Sequence, residues 1–250
     1  MPCSVLFLVR HGARFDYANK EEWRRACEQL GIQPADPPLS AIGHAQARAA
    51  ALALAGEGIE VILSSPYLRT LQTAQPLAHA SGLSIKLEDG LSELGHAPDI
   101  IEAAARRFGY FPEIDLSYTS LHSVEVSERD EQYPLLYLRK ILRLAQQLPQ
   151  KYAGQTVACF SHAASVAMVA ALTDVTLLEA GKFAPCGIFK LVCEEGATVW
   201  TIVQHGSDNS AHCKDDASTT YPWGFSDSFQ DSDQIEQLWL EAKRLETIGD

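Results

Sequence analysis

Short, wholly apolar segments alternate with longer segments of helical periodicity along this chain, and this alternation constrains its fold more than any other feature. Val5–Val9 and 61–63 are apolar on both faces, as strands in the middle of a sheet are. Thr156–Ser161 has the same character. Strands separated by helices pair in parallel, because each helix returns the chain across the sheet. The sequence therefore predicts an α/β protein in which a mostly parallel central sheet lies between two layers of helices.

The helices are predicted from caps and from apolar residues spaced three and four apart. Ser40 can cap a helix that begins at about residue 41 and ends near Gly56. Pro66 suits the first turn of a second helix, which extends to about residue 80 and which Pro76 should kink or interrupt. Further helices are expected at 98–108, 132–148, 164–172 and 234–247, further strands at 85–87, 188–193 and 198–204, and a long surface loop at 206–233.

Size and charge limit the classes of protein to be considered. The chain has 250 residues, 46% of them hydrophobic, and no apolar run that could cross a bilayer, so one soluble domain over residues 1–250 is expected. The net charge of −12 opposes binding to nucleic acid or to an anionic membrane surface. Scattered cysteines without a C-x-x-C pair, and an N-terminus without a signal-peptide pattern, predict a cytoplasmic protein with reduced thiols.

Cationic and imidazole side chains follow three of the predicted strands. The segment Arg-His-Gly-Ala-Arg at 10–14 comes directly after the first strand, Ser-Ser-Pro-Tyr-Leu-Arg at 64–69 follows the second, and Ser-His-Ala at 161–163 ends the strand that begins at Thr156. The carboxyl ends of parallel strands meet at one edge of a sheet, which is where α/β proteins bind ligands. We therefore expect one site that contains Arg10, His11, Arg14, Arg69 and His162.

These side chains suit a phosphate dianion. A guanidinium offers paired donors that match phosphate oxygens and keeps its charge at any working pH. Neighbouring cations lower the pKa of an imidazole, and a neutral His11 could attack phosphorus to form a phosphohistidine that water then cleaves. The arginines and His162 would stabilise the charge on the transferring phosphoryl group. This scheme uses no metal ion and no cofactor.

A poor leaving group also needs a proton, which a carboxylic acid near the site could supply. The candidates are Asp16, Glu88, Asp89 and Glu93. Their spacing does not choose among them, since each could equally be a solvated surface carboxylate.

Two motifs carry a resemblance to a known family. Leu-Val-Arg-His-Gly at 8–12, followed by Ser-Ser-Pro-Tyr-Leu-Arg-Thr-Leu-Gln-Thr-Ala at 64–74, resembles the histidine phosphatase (phosphoglycerate mutase-like) superfamily, and the segment 36–47 between them is similar to that superfamily as well. Within it, the chain is most similar to the phosphatase domain of the TULA (suppressor of T-cell receptor signalling) proteins and to ecdysteroid-phosphate phosphatase. Segments 88–93, 126–128 and 161–165 recur at the spacing of that group.

The resemblance implies roles for individual residues. It makes His11 the nucleophile, Glu93 the proton donor, and Arg10, Arg14, Arg69 and His162 the phosphate pocket. Ala13 and Leu94 depart from the pattern of the family, at positions that affect recognition of the leaving group. The implied substrate is a phosphorylated small molecule or phosphoprotein, with phosphotyrosine-like, aryl or hydrophobic phosphates favoured, and the implied assembly is a homodimer.

Two other functions stay open. A cofactor-dependent phosphoglycerate mutase would share the phosphohistidine, but the Trp-Asn after the first motif and the Glu-Arg-His-Tyr-Gly segment of those mutases are missing. A non-catalytic domain that binds phosphorylated ligands is disfavoured by the complete set of site residues.

Two further groups of residues could have a function or only an ordinary structural role. The spacing of His205, His212 and Cys213 fits no recognised zinc pattern, so an irregular surface loop is favoured there. Aromatic and histidine side chains between two predicted helices could line the mouth of the site or pack in the ordinary way, and they are Tyr110, Phe111, Tyr118 and His122.

Overall fold

The computed structural model describes residues 4–31, 33–93, 109–122, 133–213 and 232–248. The helix predicted at 98–108 lies outside these residues, and so does most of the loop predicted at 206–233.

A six-stranded sheet forms the centre of the molecule, in the order β3-β2-β4-β1-β5-β6. The first four strands in that order are parallel, and β5 and β6 are added antiparallel at one side. β1 pairs with β4 on one side and with β5 on the other, which confirms the prediction of a central first strand. The strands are β1 Ser4–Arg10, β2 Val61–Ser64, β3 Ile85–Leu87, β4 Thr156–Ser161, β5 Ile188–Cys193 and β6 Thr201–Gln204.

Helices cover both faces of the sheet, as predicted. Leu6 and Leu8 of β1 point to one face and Phe7 and Val9 to the other, and each pair belongs to a separate apolar cluster. The α-helices are α1 Phe15–Ala18, α2 Lys20–Leu30, α3 Ala41–Leu54, α4 Leu68–Ser81, α5 Tyr133–Lys151, α6 Val166–Leu172, α7 Leu177–Ala180 and α8 Ser232–Ile248. α5, α6 and α8 pack on the Leu6 face, and α3 and α4 pack on the Phe7 face. None of the helices within the described ranges is long and apolar enough to cross a membrane.

Three details differ from the sequence-based expectations. Pro66 lies before the second helix rather than in its first turn, because α4 begins at Leu68 with Tyr67 as its N-cap. α4 continues through Pro76 without interruption, because buried residues before and after the proline, Leu71 and Leu77 among them, hold the helix against the sheet. β6 begins at Thr201 rather than at residue 198, because the side chain of Trp200 is buried in the core and its backbone N–H donates to Leu172 O at 3.0 Å. The predicted cap of α3 is confirmed, since Ser40 Oγ accepts the N–H of Gly43 at 3.1 Å.

A close backbone contact fixes the loop after β1 against the start of α3. A Cβ atom on Gly43 would stand 2.2 Å from Ala13 O, and a Cβ on Gly12 would stand 2.6 Å from Gly43 O. The same carbonyl of Ala13 accepts the N–H of Ser40 at 2.9 Å. Only glycine permits this approach, and the contact holds the segment that follows His11 in place.

Replacing Gly43 by alanine should therefore lower the free energy of unfolding by about 2 kcal/mol or more, because the new methyl group collides with backbone that cannot rotate away. Urea unfolding measures the change. Gly56→Ala is the matched control, since open space surrounds Gly56 beyond the end of α3. Equal stability of Gly43→Ala and the parent would contradict the contact.

Candidate active site

Three strands bring the predicted residues to one edge of the sheet. His11 follows β1, Arg69 lies in the first turn of α4 after β2, and His162 follows β4. The two imidazole rings are buried, and their centroids are 5.4 Å apart in an edge-on arrangement. The convergence predicted from the ends of the strands is therefore present.

The imidazole of His11 is oriented by the backbone. Its Nδ1 lies 2.8 Å from Gly12 O, and because a carbonyl can only accept, we assign the proton to Nδ1 and the free electron pair to Nε2. Burial holds the pKa of His11 well below its usual range, and the charges of Arg69 and Arg10 lower it further. A neutral imidazole with a free Nε2 is a nucleophile.

His162 has the opposite tautomer. Arg69 Nη2 lies 3.1 Å from His162 Nδ1 and can only donate, so Nδ1 carries the electron pair. His162 Nε2 then donates to Ser65 Oγ, at 2.8 Å. Burial, followed by the charge of Arg69, holds the pKa of His162 well below its usual range.

Three guanidinium groups surround the imidazoles. Arg10 and Arg69 are almost fully buried, and they donate to the backbone carbonyls of Phe183 and Ala35. Asp36, also buried, lies 3.8 Å from Arg69 Nη1. Guanidinium groups beside two imidazoles are suited to a dianionic ligand, because they offer paired donors that match phosphate oxygens.

Arg14 is the most exposed of the three guanidinium groups. It makes a two-point contact with Asp16, from Nε at 3.0 Å and from Nη2 at 2.7 Å. Its guanidinium also lies 4.7 Å from the centre of the Tyr17 ring, and 41% of Tyr17 is exposed. Arg14 therefore lies between the buried pocket and an aromatic side chain at the surface.

The structure separates the four carboxylates that the sequence left as alternatives. Glu93 Oε2 lies 3.4 Å from His162 Nδ1 and 3.5 Å from Arg69 Nη2, and the side chain is 20% exposed. Asp16 is paired with Arg14. Glu88 is completely buried in hydrogen bonds, and Asp89 lies in the turn before Glu93. Of the four, Glu93 is the carboxylate that lies beside the imidazole of His162.

His11, Glu93 and His162 are also the group of metal-ligating side chains that the described ranges bring together, with one ligand atom of each within 4.8 Å of the others. The positive charges of the adjacent arginines oppose a bound cation, so the pocket as a whole suits an anion better. His212 Nε2 instead contacts Cys186 O at 2.8 Å, and His205 contacts Ser207, so these histidines do not form a centre with Cys213.

The aromatic residues proposed for the mouth have different surroundings. Phe111 belongs to the core, and Tyr110 is 82% exposed. The hydroxyl of Tyr118 and the backbone N–H of His122 both donate to the carboxylate of Glu88. Ordinary packing is therefore correct for Phe111, and a buried hydrogen-bond network is correct for Tyr118.

Sequence reasoning did not single out several residues that hold the site. Ser65 orients His162, and Asp36 Oδ1 accepts the N–H of Leu68 at the start of α4, at 2.8 Å. Cys186 has a positive φ of 52°, and its N–H donates to Arg10 O at 3.1 Å, so it ties β5 to the end of β1. Ser65 lies inside a motif that the sequence analysis used, whereas no local pattern links Asp36 to the start of α4, 32 residues later.

Asp89 gives the protein a measurable dependence of stability on pH. Burial, followed by the charge of Glu88, raises the pKa of Asp89 to about 7. In the unfolded chain the pKa is about 4, so between these two values the folded protein holds a proton that the unfolded chain has released. The free energy of unfolding of the parent therefore falls as pH rises from about 4 to about 7. Asp89→Asn should therefore gain stability on the parent between pH 4 and pH 8, by up to about 4 kcal/mol, measured by urea unfolding.

The control for this prediction is Asp115→Asn, for which we expect a change in stability of the opposite sign. Hydrogen bonds from Lys86 and Ser117 lower the pKa of Asp115 to about 2, so Asp115→Asn should lose stability at neutral pH. An Asp89→Asn variant whose stability relative to the parent is the same at both ends of the pH range would contradict the assignment.

Comparison with known proteins places the chain in a family. Residues 6–207 match the family described as the histidine phosphatase superfamily (branch 1). Phosphoserine phosphatase 1 from Hydrogenobacter thermophilus is 30% identical over 186 residues, which cover 71% of this chain and 80% of that protein. A probable phosphoglycerate mutase from Yersinia enterocolitica is 38% identical over 89 residues, which cover 36% of this chain and 37% of the mutase.

Solved structures share the fold at low sequence identity. Ecdysone phosphate phosphatase from Bombix mori, in complex with tungstate, has a TM-score of 0.59 at 20% identity over 80% of this chain and 92% of that chain. Phosphoserine phosphatase from Entamoeba histolytica, in complex with 3-phosphoglyceric acid, has a TM-score of 0.52 at 21% identity over 82% and 98%. These likenesses confirm the predicted phosphoglycerate mutase-like α/β fold.

The family match covers most of the chain, and the Hydrogenobacter relative is matched over four fifths of its length. Both findings support the predicted class of enzyme, a phosphoric monoester hydrolase. This chain belongs to the histidine phosphatase superfamily.

Proposed function

We propose that this chain hydrolyses phosphate monoesters in two steps, through a phosphohistidine on His11. The observation that carries the proposal is the electrostatic setting of His11. Its imidazole is buried and neutral, with the proton on Nδ1, and it lies among guanidinium groups that can hold a phosphate dianion.

In the first step, His11 Nε2 attacks phosphorus and forms a P–N bond while the bond from phosphorus to the leaving oxygen breaks. The leaving oxygen takes the proton of Glu93, which enters the reaction as a carboxylic acid. Arg10, Arg14 and Arg69 stabilise the charge on the equatorial oxygens. The products of this step are an alcohol or phenol, phosphorylated His11 and an ionised Glu93.

In the second step, the carboxylate of Glu93 accepts a proton from water. The oxygen of that water attacks phosphorus, the P–N bond breaks, and its electron pair returns to His11 Nε2. Inorganic phosphate leaves, and Glu93 is again protonated. His162, held in one tautomer by Ser65, lies beside Glu93 and Arg69 and is placed to contact the phosphoryl oxygens in both steps.

Aryl and hydrophobic phosphates, phosphotyrosine-like groups included, are the proposed substrates. The exposed ring of Tyr17 beside Arg14 offers an aromatic surface next to the phosphate pocket. The resemblance to the TULA phosphatases and the shared fold with ecdysone phosphate phosphatase support the same class. The relationship to a phosphoserine phosphatase keeps small metabolite phosphates among the substrates to be tested.

A phosphoglycerate mutase is the second candidate, favoured by the 38% identity to a probable mutase over 89 residues. A mutase forms the same phosphohistidine but passes the phosphoryl group to a second acceptor instead of water. The two candidates therefore differ in the second step alone.

The test is hydrolysis of p-nitrophenyl phosphate in EDTA across pH 4–8, with samples quenched in alkali and analysed for phosphate bound to the protein. Hydrolysis with a labile, acid-sensitive phosphoenzyme on His11 is expected. An inactive parent at every pH would overturn the proposal. Transfer from bisphosphoglycerate to phosphoglycerate would then identify a mutase, and binding without transfer would identify a non-catalytic domain.

A further inference from the structure

Glu88 is a completely buried carboxylate that the proposed reaction does not use. Five donors reach its two oxygens, all of them neutral hydroxyl or amide groups. Oε1 accepts from Gly90 N at 3.0 Å, Ser120 Oγ at 2.6 Å and His122 N at 3.3 Å, and Oε2 accepts from Tyr118 Oη at 2.7 Å and Leu121 N at 2.9 Å.

A buried carboxylate is costly unless its oxygens are well satisfied, and hydrogen bonds to a charged acceptor are stronger than neutral ones. The arrangement therefore yields a stiff connection between the segment 118–122 and the turn that begins at Glu88.

That turn leads directly to Glu93. The residues Asp89–Leu91 form one 3-10 turn, in which Leu91 N donates to Glu88 O at 3.0 Å. The turn is also fixed from the sheet and from α5, because Ser161 Oγ donates to Leu91 O at 2.8 Å and Lys140 Nζ donates to Ser92 O at 3.1 Å. The next residue is Glu93.

Packing around the turn leaves it little freedom. A Cβ atom on Gly90 would stand 3.1 Å from Glu88 Oε1 and 3.2 Å from His122 Cβ. Asp89 N donates to Ser120 Oγ at 3.0 Å, so Ser120 contacts both the turn and the carboxylate. A displacement of Glu88 must therefore move the backbone just before Glu93.

We propose that Glu88 is a positioning residue, which fixes the turn 89–92 so that the carboxyl group of Glu93 reaches the leaving oxygen. The inference rests on the proposed role of Glu93 as proton donor. Proton transfer depends steeply on the distance between donor and acceptor, so a displaced Glu93 impairs protonation of the leaving oxygen more than it impairs phosphate binding by the arginines. Loss of Glu88 therefore slows substrates that need a proton more than substrates that do not.

The experiment compares kcat/KM for phenyl phosphate, whose leaving group needs protonation, with kcat/KM for p-nitrophenyl phosphate, whose leaving group needs it far less. Glu93→Gln should slow phenyl phosphate about 100-fold more than p-nitrophenyl phosphate. Glu88→Gln should slow phenyl phosphate selectively by about tenfold or more. Tyr118→Phe, which removes one donor and keeps the ring, should show a smaller selective loss and serves if Glu88→Gln does not fold.

Glu113→Gln is the matched control. Glu113 lies in the same part of the chain as Tyr118, but its carboxylate accepts hydrogen bonds from Gln75 and His79 on α4 rather than from the turn before Glu93. Its replacement should leave the ratio of the two substrates unchanged.

The outcomes separate the two proposals. If Glu93→Gln slows both substrates equally, the proton donor is wrong and the inference about Glu88 is wrong with it. If Glu93→Gln discriminates between the substrates but Glu88→Gln and Tyr118→Phe slow both equally, or neither, the proton donor stands and Glu88 has only a structural role.

Discussion

His11→Ala is expected to lower kcat/KM for p-nitrophenyl phosphate by at least about 10⁴-fold, the largest loss of activity that any one substitution in this chain should cause. The variant keeps the arginines and therefore still binds phosphate, but it has no atom that can form the bond to phosphorus. Hydrolysis assays and labelling with an alkaline quench measure the two consequences, loss of turnover and loss of the phosphoenzyme.

The control is His79→Gln. His79 lies near the end of α4, far along the helix from Arg69, and its side chain is 60% exposed. This variant should retain the activity of the parent. Phosphoenzyme that persists in folded His11→Ala would place the nucleophile elsewhere and would overturn the proposed mechanism.

The meeting of the site residues at one edge of the sheet could be predicted from the sequence, because it follows from the order of parallel strands. His11, Ser65 and His162 each follow directly after a strand, and in any sheet where these strands are parallel neighbours such residues meet. The order β2-β4-β1 makes them adjacent. That part of the prediction required no knowledge of side-chain packing, which explains its success.

The choice among the carboxylates needed tertiary contacts that no local pattern contains. Glu88 and Glu93 lie in one short segment, yet one is buried by hydrogen bonds from the segment 118–122, about thirty residues later, and the other faces His162. The position of a carboxylate along the chain does not tell whether its side chain is buried in hydrogen bonds or faces the site. The resemblance to a family supplied the choice of Glu93 where physical reasoning from the sequence stopped.

The helices α1 and α2 were also missed. α2 is predominantly polar, and of its residues only Trp23 and Cys27 are buried, so its apolar stripe is too narrow to stand out as a helical pattern. Trp23 Nε1 donates to Pro34 O at 2.9 Å, and this contact fastens the helix to the segment before Asp36. The burial of two side chains and one long-range hydrogen bond define the position of α2.

Arg69→Ala is expected to lower both activity and stability. The guanidinium contacts His162 and Glu93 and lies 3.8 Å from the buried Asp36, so its removal takes one cation from the phosphate pocket and leaves Asp36 without its charged neighbour. We expect kcat/KM to fall by about 10³-fold, as for the loss of one preorganised donor to the transition state. The free energy of unfolding should fall by about 3–5 kcal/mol, because a buried charge loses its partner.

A second substitution separates the two effects. In the double variant Arg69→Ala, Asp36→Asn an amide replaces the carboxylate beside the lost guanidinium, so stability should partly recover while activity does not. Arg24→Ala, at an exposed site on α2, should leave both quantities unchanged. Urea unfolding and p-nitrophenyl phosphate hydrolysis give the two readouts. If the double variant regains activity along with stability, Arg69 acts through the fold of the α4 terminus and not through contact with the phosphoryl group.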